Sequence, residues 1–139
     1  MSQAMYNRGK TEILNGELNL DIDTIKVLIV TSGSYVYDAD HNFLAEVTGA
    51  EASAGGYVRK TLASVSITQD DTNNYAVFDA ADVTWEGITV NGGGAILFKD
   101  SGSNANVSPL IMYSNTQFPV TITGGNLQIV WSTSGILAL

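Results

Sequence analysis

The sequence predicts an all-β fold, a β-sandwich or jelly roll of about eight short antiparallel strands with a short N-terminal helix. Short apolar runs recur along the chain, Ile25 to Thr31 and Ala95 to Phe98 among them. Turn-forming clusters separate them at fairly regular spacing, as at Ser32-Gly33-Ser34 and Gln69 to Asn74. Helix-length amphipathic segments do not alternate with these runs, which disfavours an α/β fold.

Ala4 to Asn15 is the best helix candidate, with Tyr6, Ile13 and Leu14 near one side at helical spacing. Gly9 weakens it, and Asn15-Gly16 supplies a stop. Leu18 to Asp23 reads as a polar lead-in to a strand over Ile25 to Thr31, buried on one face and partly on the other. Tyr35 to Val47 is ambiguous: Asp38-Ala39-Asp40 could cap a short helix over His41 to Val47, with Phe43, Leu44 and Val47 on one face. Gly49, Gly55 and Gly56 mark a loop. Tyr57 to Leu62 and Val65 to Thr68 read as one long strand or a broken pair, and Tyr75 to Phe78 and Val83 to Trp85 as further strands. Glu86 to Gly94 reads as a Gly-rich connection. Ala95 to Phe98 and Pro109 to Tyr113, joined by a polar loop, are expected to be antiparallel neighbours in a buried sheet. Phe118 to Thr123 and Leu127 to Trp131 flank Gly124-Gly125-Asn126 and suit a hairpin. Ile136 to Leu139 is a candidate last strand.

Residues 1–139 show no internal repeat or second-domain boundary, so one domain with an N-terminal arm over residues 1–16 is expected. Without Cys, the chain has neither disulfides nor Cys-based zinc sites. Fourteen acidic residues against six basic give a net charge of -8, which argues against a primary role on nucleic acid or on anionic lipid. Charged residues make up only 14% of the chain, with Ser, Thr, Asn and Gly in their place. The N-terminal residues lack an apolar signal-peptide core, and no stretch has the length of a membrane-spanning helix. Synthesis in a cytoplasm, with no use of the secretory route, is the expectation.

No catalytic, cofactor-binding or metal-binding residue is assigned. His41 is the single histidine and has no second histidine or cysteine to share a metal with. A Ser-His-Asp triad would have to recruit it, and no Ser sits in a Gly-x-Ser-x-Gly elbow. The pairs Asp21 and Asp23, Asp38 and Asp40, Asp70 and Asp71, and Asp79 and Asp82 lack the glycine and distal glutamate of a calcium loop, so turn chemistry explains them better. Gly92-Gly93-Gly94 precedes a strand, whereas phosphate-binding glycine loops precede a helix. Trp85 and Trp131 could line a sugar platform, but both lie in alternating runs and read as core.

Several blocks occur together in one order: Tyr6 to Lys10 leading to Leu14-Asn15-Gly16, Asp23 to Val30, Tyr37 to Leu44, Phe78 to Trp85, Phe98 to Gly102, Ser108 to Ile111, and Phe118-Pro119-Val120 through Gly124-Gly125-Asn126 to Trp131. In this layout the chain resembles a family of small structural proteins of tailed bacteriophages, notably of cyanobacterial hosts. The resemblance implies a virion component without enzymatic activity or cofactor. The preferred reading within that resemblance is a capsid decoration, or cement, protein on the outside of the head, made in the host cytoplasm, that bridges major capsid protein subunits and forms a trimer. A tail- or fibre-associated structural protein, carbohydrate-binding through exposed aromatics such as Trp85 or Tyr113, is the alternative. Contacts are expected in the Met1 to Gly16 arm, the Gly49 to Gly56 loop and the Asp100 to Ser108 loop.

Overall fold

The computed structural model describes residues 3–139, so Met1 and Ser2 of the expected arm lie outside the described residues. The fold is all-β with one short helix. Its elements are β1 (Gln3–Met5), α1 (Asn7–Leu14), β2 (Ile25–Thr31), β3 (Lys60–Thr61), β4 (Ser66–Asp70), β5 (Tyr75–Asp79), β6 (Val83–Lys99), β7 (Leu110–Ser114), β8 (Val120–Ile129) and β9 (Leu137–Ala138). Six strands form the main sheet in the order β1-β7-β6-β2-β3, with β8 also paired to β6; β4-β5-β9 form a second sheet. All pairs are antiparallel.

The organising element is β6, at 17 residues. One edge pairs with β2, from Ile25 opposite Lys99 to Thr31 opposite Gly92. The other pairs first with β7, from Phe98 opposite Leu110 to Ala95 opposite Ser114, and then with β8, from Gly92 opposite Val120 to Val83 opposite Ile129. The expected antiparallel neighbours are therefore present. The expected Gly-rich connection from Glu86 to Gly94 is instead strand, and it joins the two short runs into one. Its glycines serve close approach. A Cβ on Gly93 would lie 2.7 Å from Ser32 Cα, and one on Gly94 would lie 2.6 Å from the Tyr113 ring.

The expected hairpin at Gly124-Gly125-Asn126 is likewise corrected: β8 runs through it and pairs with β6, not with itself. Two register shifts absorb the irregularity. Between Trp85 and Ile88 the extra residue is on β6, and between Ile88 and Val90 it is on β8. Gly87 and Gly124, with φ of 60° and 59°, supply the bulges.

At β2, β7 and the C-terminal part of β6 the main sheet is buried on both faces, and the side-chain period of two divides these residues between two clusters. Val27, Ile29, Ala95 and Leu97 face the larger cluster, with Trp85, Ile88, Phe78 and Ile136 from the region shared with the second sheet. Leu28, Val30, Ile96 and Phe98 face the smaller one, which Tyr6, Leu44 and Val47 close. Trp85 is 1% exposed and donates its indole N–H to the Val58 carbonyl at 2.6 Å. Trp131, past the end of β8, is only half-buried; its indole N–H reaches the Ala81 carbonyl.

The N-terminal segment differs from its expected form. Residues 3–5 are strand, paired with β7, and the helix begins at Asn7. Tyr6, between them, is wholly buried, whereas Leu14 is 87% exposed. Leu18 and Leu20, in the expected polar lead-in, are buried in the larger cluster. The expected helix over His41 to Val47 shrinks to 3-10 turns at Leu44–Glu46 and Thr48–Ala50, because Phe43 is extended and bridges to Pro109. Its opening amides are held by a residue from within: the Glu46 carboxylate accepts from the Asn42 and Phe43 N–H groups. Asp38 and Asp40 have other partners, the Asp40 amide and the Asn7 side chain. Of the Tyr57 to Thr68 stretch, the broken-pair reading holds: β3 joins the main sheet and β4 the second.

Candidate interaction surfaces

Among the described residues, four of the six Lys and Arg side chains stand in ion pairs: Arg8 with Glu12, Lys26 with Asp100, Arg59 with Glu51 and Lys99 with Asp23. The Lys26 and Lys99 pairs tie loop carboxylates to β2 and β6, the Arg59 pair joins two loops, and the Arg8 pair lies within α1. Glu51 receives both Arg59 Nε and a terminal guanidinium nitrogen, plus the Tyr57 hydroxyl at 2.9 Å. The Ile29 amide donates to that same hydroxyl. Burial pushes the Tyr57 phenol up. The Lys26 ammonium beside Asp100 holds its carboxyl below the usual range, against a smaller opposing effect of burial.

These contacts also test the expected partner-facing segments. Gln3 to Leu14 is not a free arm, since β1 is in the sheet and Tyr6 in the core. In the Gly49 to Gly56 loop, Ala52 is buried and its amide bonds to the Ile29 carbonyl, which leaves residues 53–56 exposed. In the Asp100 to Ser108 loop, Ser108 is buried and Val107 is 50% exposed.

His41 lies in a tyrosine cluster. The Tyr6 and Tyr35 hydroxyls are 2.7 Å apart, and the Tyr35 hydroxyl is 3.1 Å from His41 Nδ1. Tyr37 stacks on Tyr113 and donates to the Met5 carbonyl at 2.7 Å. Burial, and then the bond to Tyr35, push the Tyr6 phenol up. The cluster clips residues 35–41 over the N-terminal segment. Among the described residues, no carboxylate orients the imidazole through a hydrogen bond, and no serine approaches it in one, as a triad would need. Among the described residues, no three His, Cys, Asp or Glu side chains are grouped to hold a metal. Of the aromatics named for a sugar site, Trp85 and Tyr113 are turned inward, at 1% and 7% exposed, and Trp131 is half-buried.

Two clefts flank the β4–β5 hairpin. The first, about 280 Å³, is apolar and lies between the α1–β2 region and the second sheet, lined by Ile13, Leu18, Leu20, Ile67, Phe78 and Leu137. Leu139 borders it and, with Leu14 and Met5, lines an apolar continuation of about 320 Å³. Leu14, Ile67 and Leu139 are 87, 52 and 61% exposed. Through Ile13 and Leu139, which line both spaces, these side chains form one contiguous exposed apolar strip. The second cleft, about 600 Å³, is polar and acidic; Asp70, Asp71 and Asp79 line it with Ser66 and Thr68, and among the described residues no cation does. Sequence reasoning placed Leu14 with Tyr6 and Ile13 near one side of the helix and read Leu18 to Asp23 as a polar lead-in. The signal that could have exposed the strip is the excess of apolar residues at positions 13, 14, 18 and 20 over what so short a helix can bury.

No protein-family model matches the chain, and no curated protein matches it significantly.

Proposed function

We propose that the chain is a structural component of a tailed-bacteriophage virion: a capsid decoration protein, made in the host cytoplasm, that sits on the outside of the head and bridges major capsid protein subunits. The ordered sequence blocks from Tyr6 to Trp131 support the family, and the apolar strip of Leu14, Ile67 and Leu139 carries the binding role. The reading is non-enzymatic and includes a trimer. Its mechanism is linkage. A protein that binds the assembled shell and not the separated subunits shifts assembly toward the shell.

Copy number in purified virions, measured by quantitative mass spectrometry against the major capsid protein, tests the reading. A simple, high ratio is expected. A handful of copies per particle moves the protein to the tail, and absence from virions overturns a structural role. Deleting the N-terminal segment would remove the buried Tyr6 and unfold the domain, so the surface is tested with a point change. Leu14→Glu is expected to lower occupancy on shells about tenfold, the scale of one apolar contact replaced by a charge, with thermal stability unchanged.

A further inference from the structure

The outer strand of the second sheet, β4, is paired with β5 along all five residues without a register shift. Its other edge is open: among the described residues, no backbone–backbone hydrogen bond outside the ladders reaches residues 66–70. The other open edges differ. Gly124 interrupts β8 with a bulge, β1 has three residues, and β3 and β9 have two each. Natural sheets guard open edges with charged side chains, Lys above all, or with Pro or a bulge. The Ser66-Ile67-Thr68-Gln69-Asp70 strand has no Lys, Pro or bulge, and its one charge, Asp70, stands at its end.

Its two faces differ in chemistry. Ile67 opens onto the apolar cleft beside Ala76 and Phe78. Ser66, Thr68 and Asp70 open onto the acidic cleft with Asp71 and Asp79. A strand added to this edge would itself alternate faces with period two. We propose that the open edge of β4 docks an extended segment of another protein in which apolar residues alternate with Lys or Arg, taken up as a fourth strand of the second sheet. Backbone hydrogen bonds supply the mode of binding and the two clefts supply selectivity. The apolar side chains fall beside Ile67 and the cations beside Asp70 and Asp71, with Asp79 one strand further across the same cleft. A second copy of this chain is the wrong occupant: antiparallel pairing of two β4 edges would set two acidic clefts on one sheet face. This inference goes beyond the virion reading, because it concerns the chemistry of the bound segment and holds for any partner that offers it.

The test uses a capped hexapeptide of alternating Val and Lys, titrated into the full chain at low ionic strength and followed by amide shifts and hydrogen exchange. Saturable binding, slowed exchange confined to residues 66–70 and weakening with added salt are expected. Ile67→Lys and Asp71→Lys, both at exposed positions, are each expected to weaken binding about tenfold with thermal stability unchanged. A peptide with three Val followed by three Lys should bind at least tenfold more weakly, and one with Glu for Lys should not bind. The proposal is overturned by three outcomes: no binding at millimolar peptide, equal binding of the block peptide, or protection of residues 66–70 that rises with protein concentration alone. None of these depends on virion copy number, so the two proposals fail separately.

Discussion

Gly9 sits in the middle of an eight-residue helix, where propensity alone favours alanine by about 1 kcal/mol. The neighbour it faces reverses the sign. A Cβ there would lie 2.8 Å from the Ile111 carbonyl oxygen and 2.9 Å from Ile111 Cα, both backbone atoms of β7. Backbone in a paired central strand cannot yield cheaply, and overpacking of this kind costs about 1–3 kcal/mol. Gly9→Ala is therefore expected to lower stability by about 1 kcal/mol or more in urea denaturation; a gain would mean that α1 is not seated on β7. The position reads as a helix weakness in the sequence because the strand that requires it lies about a hundred residues away.

At the scale of elements, the turn after the tyrosine cluster shows how a local rule can choose the wrong residue. Asp38 and Asp40 are good helix N-caps by type, yet Glu46 holds the opening amides from within the turn, 2.7 Å from the Phe43 nitrogen. Removing a cap of this kind costs about 1 kcal/mol, and Glu46→Ala is expected to show that loss in thermal or urea denaturation. Loss of stability from Asp40→Ala on the same scale, with none from Glu46→Ala, would restore the sequence-based assignment. The longest strand raises the same issue. Trp85 and the run from Ala95 to Phe98 have clear strand patterns, but the glycines between them carry no apolar signal, so their pairing with β2 and β8 is invisible until both partners are in place.

At the scale of the whole molecule, a net charge of -8 on a surface with few cations makes the ion pairs the main tie between charge and fold. Lys26 holds the Asp100 carboxyl low, so this pair stabilises the fold above the unfolded carboxylate value of about 4 and loses that contribution as pH falls through the lower folded value. Lys26→Met should shrink the fall in melting temperature between about pH 5 and pH 2. An unchanged fall would mean that the pair is too solvent-screened to matter.

Period and composition govern the part of the fold that is legible before any coordinates. The alternation of apolar residues settles the all-β class, and the run from Ile25 to Thr31 gives β2 its observed bounds. The apolar runs before and after the Lys99 to Ser108 loop settle the β6–β7 pair, and the alternating pattern around Trp85 places it in the core. These are local signals, written in neighbours one or two positions apart. Only the tertiary structure decided that Glu86 to Gly94 is strand, that β8 pairs with β6 and not with itself, and that Leu14 faces out while Leu18 and Leu20 face in. It alone set the apolar strip and the acidic cleft on opposite faces of one open-edged hairpin. Each of these depends on which distant segment arrives opposite a residue, and glycines and short helices say least about that.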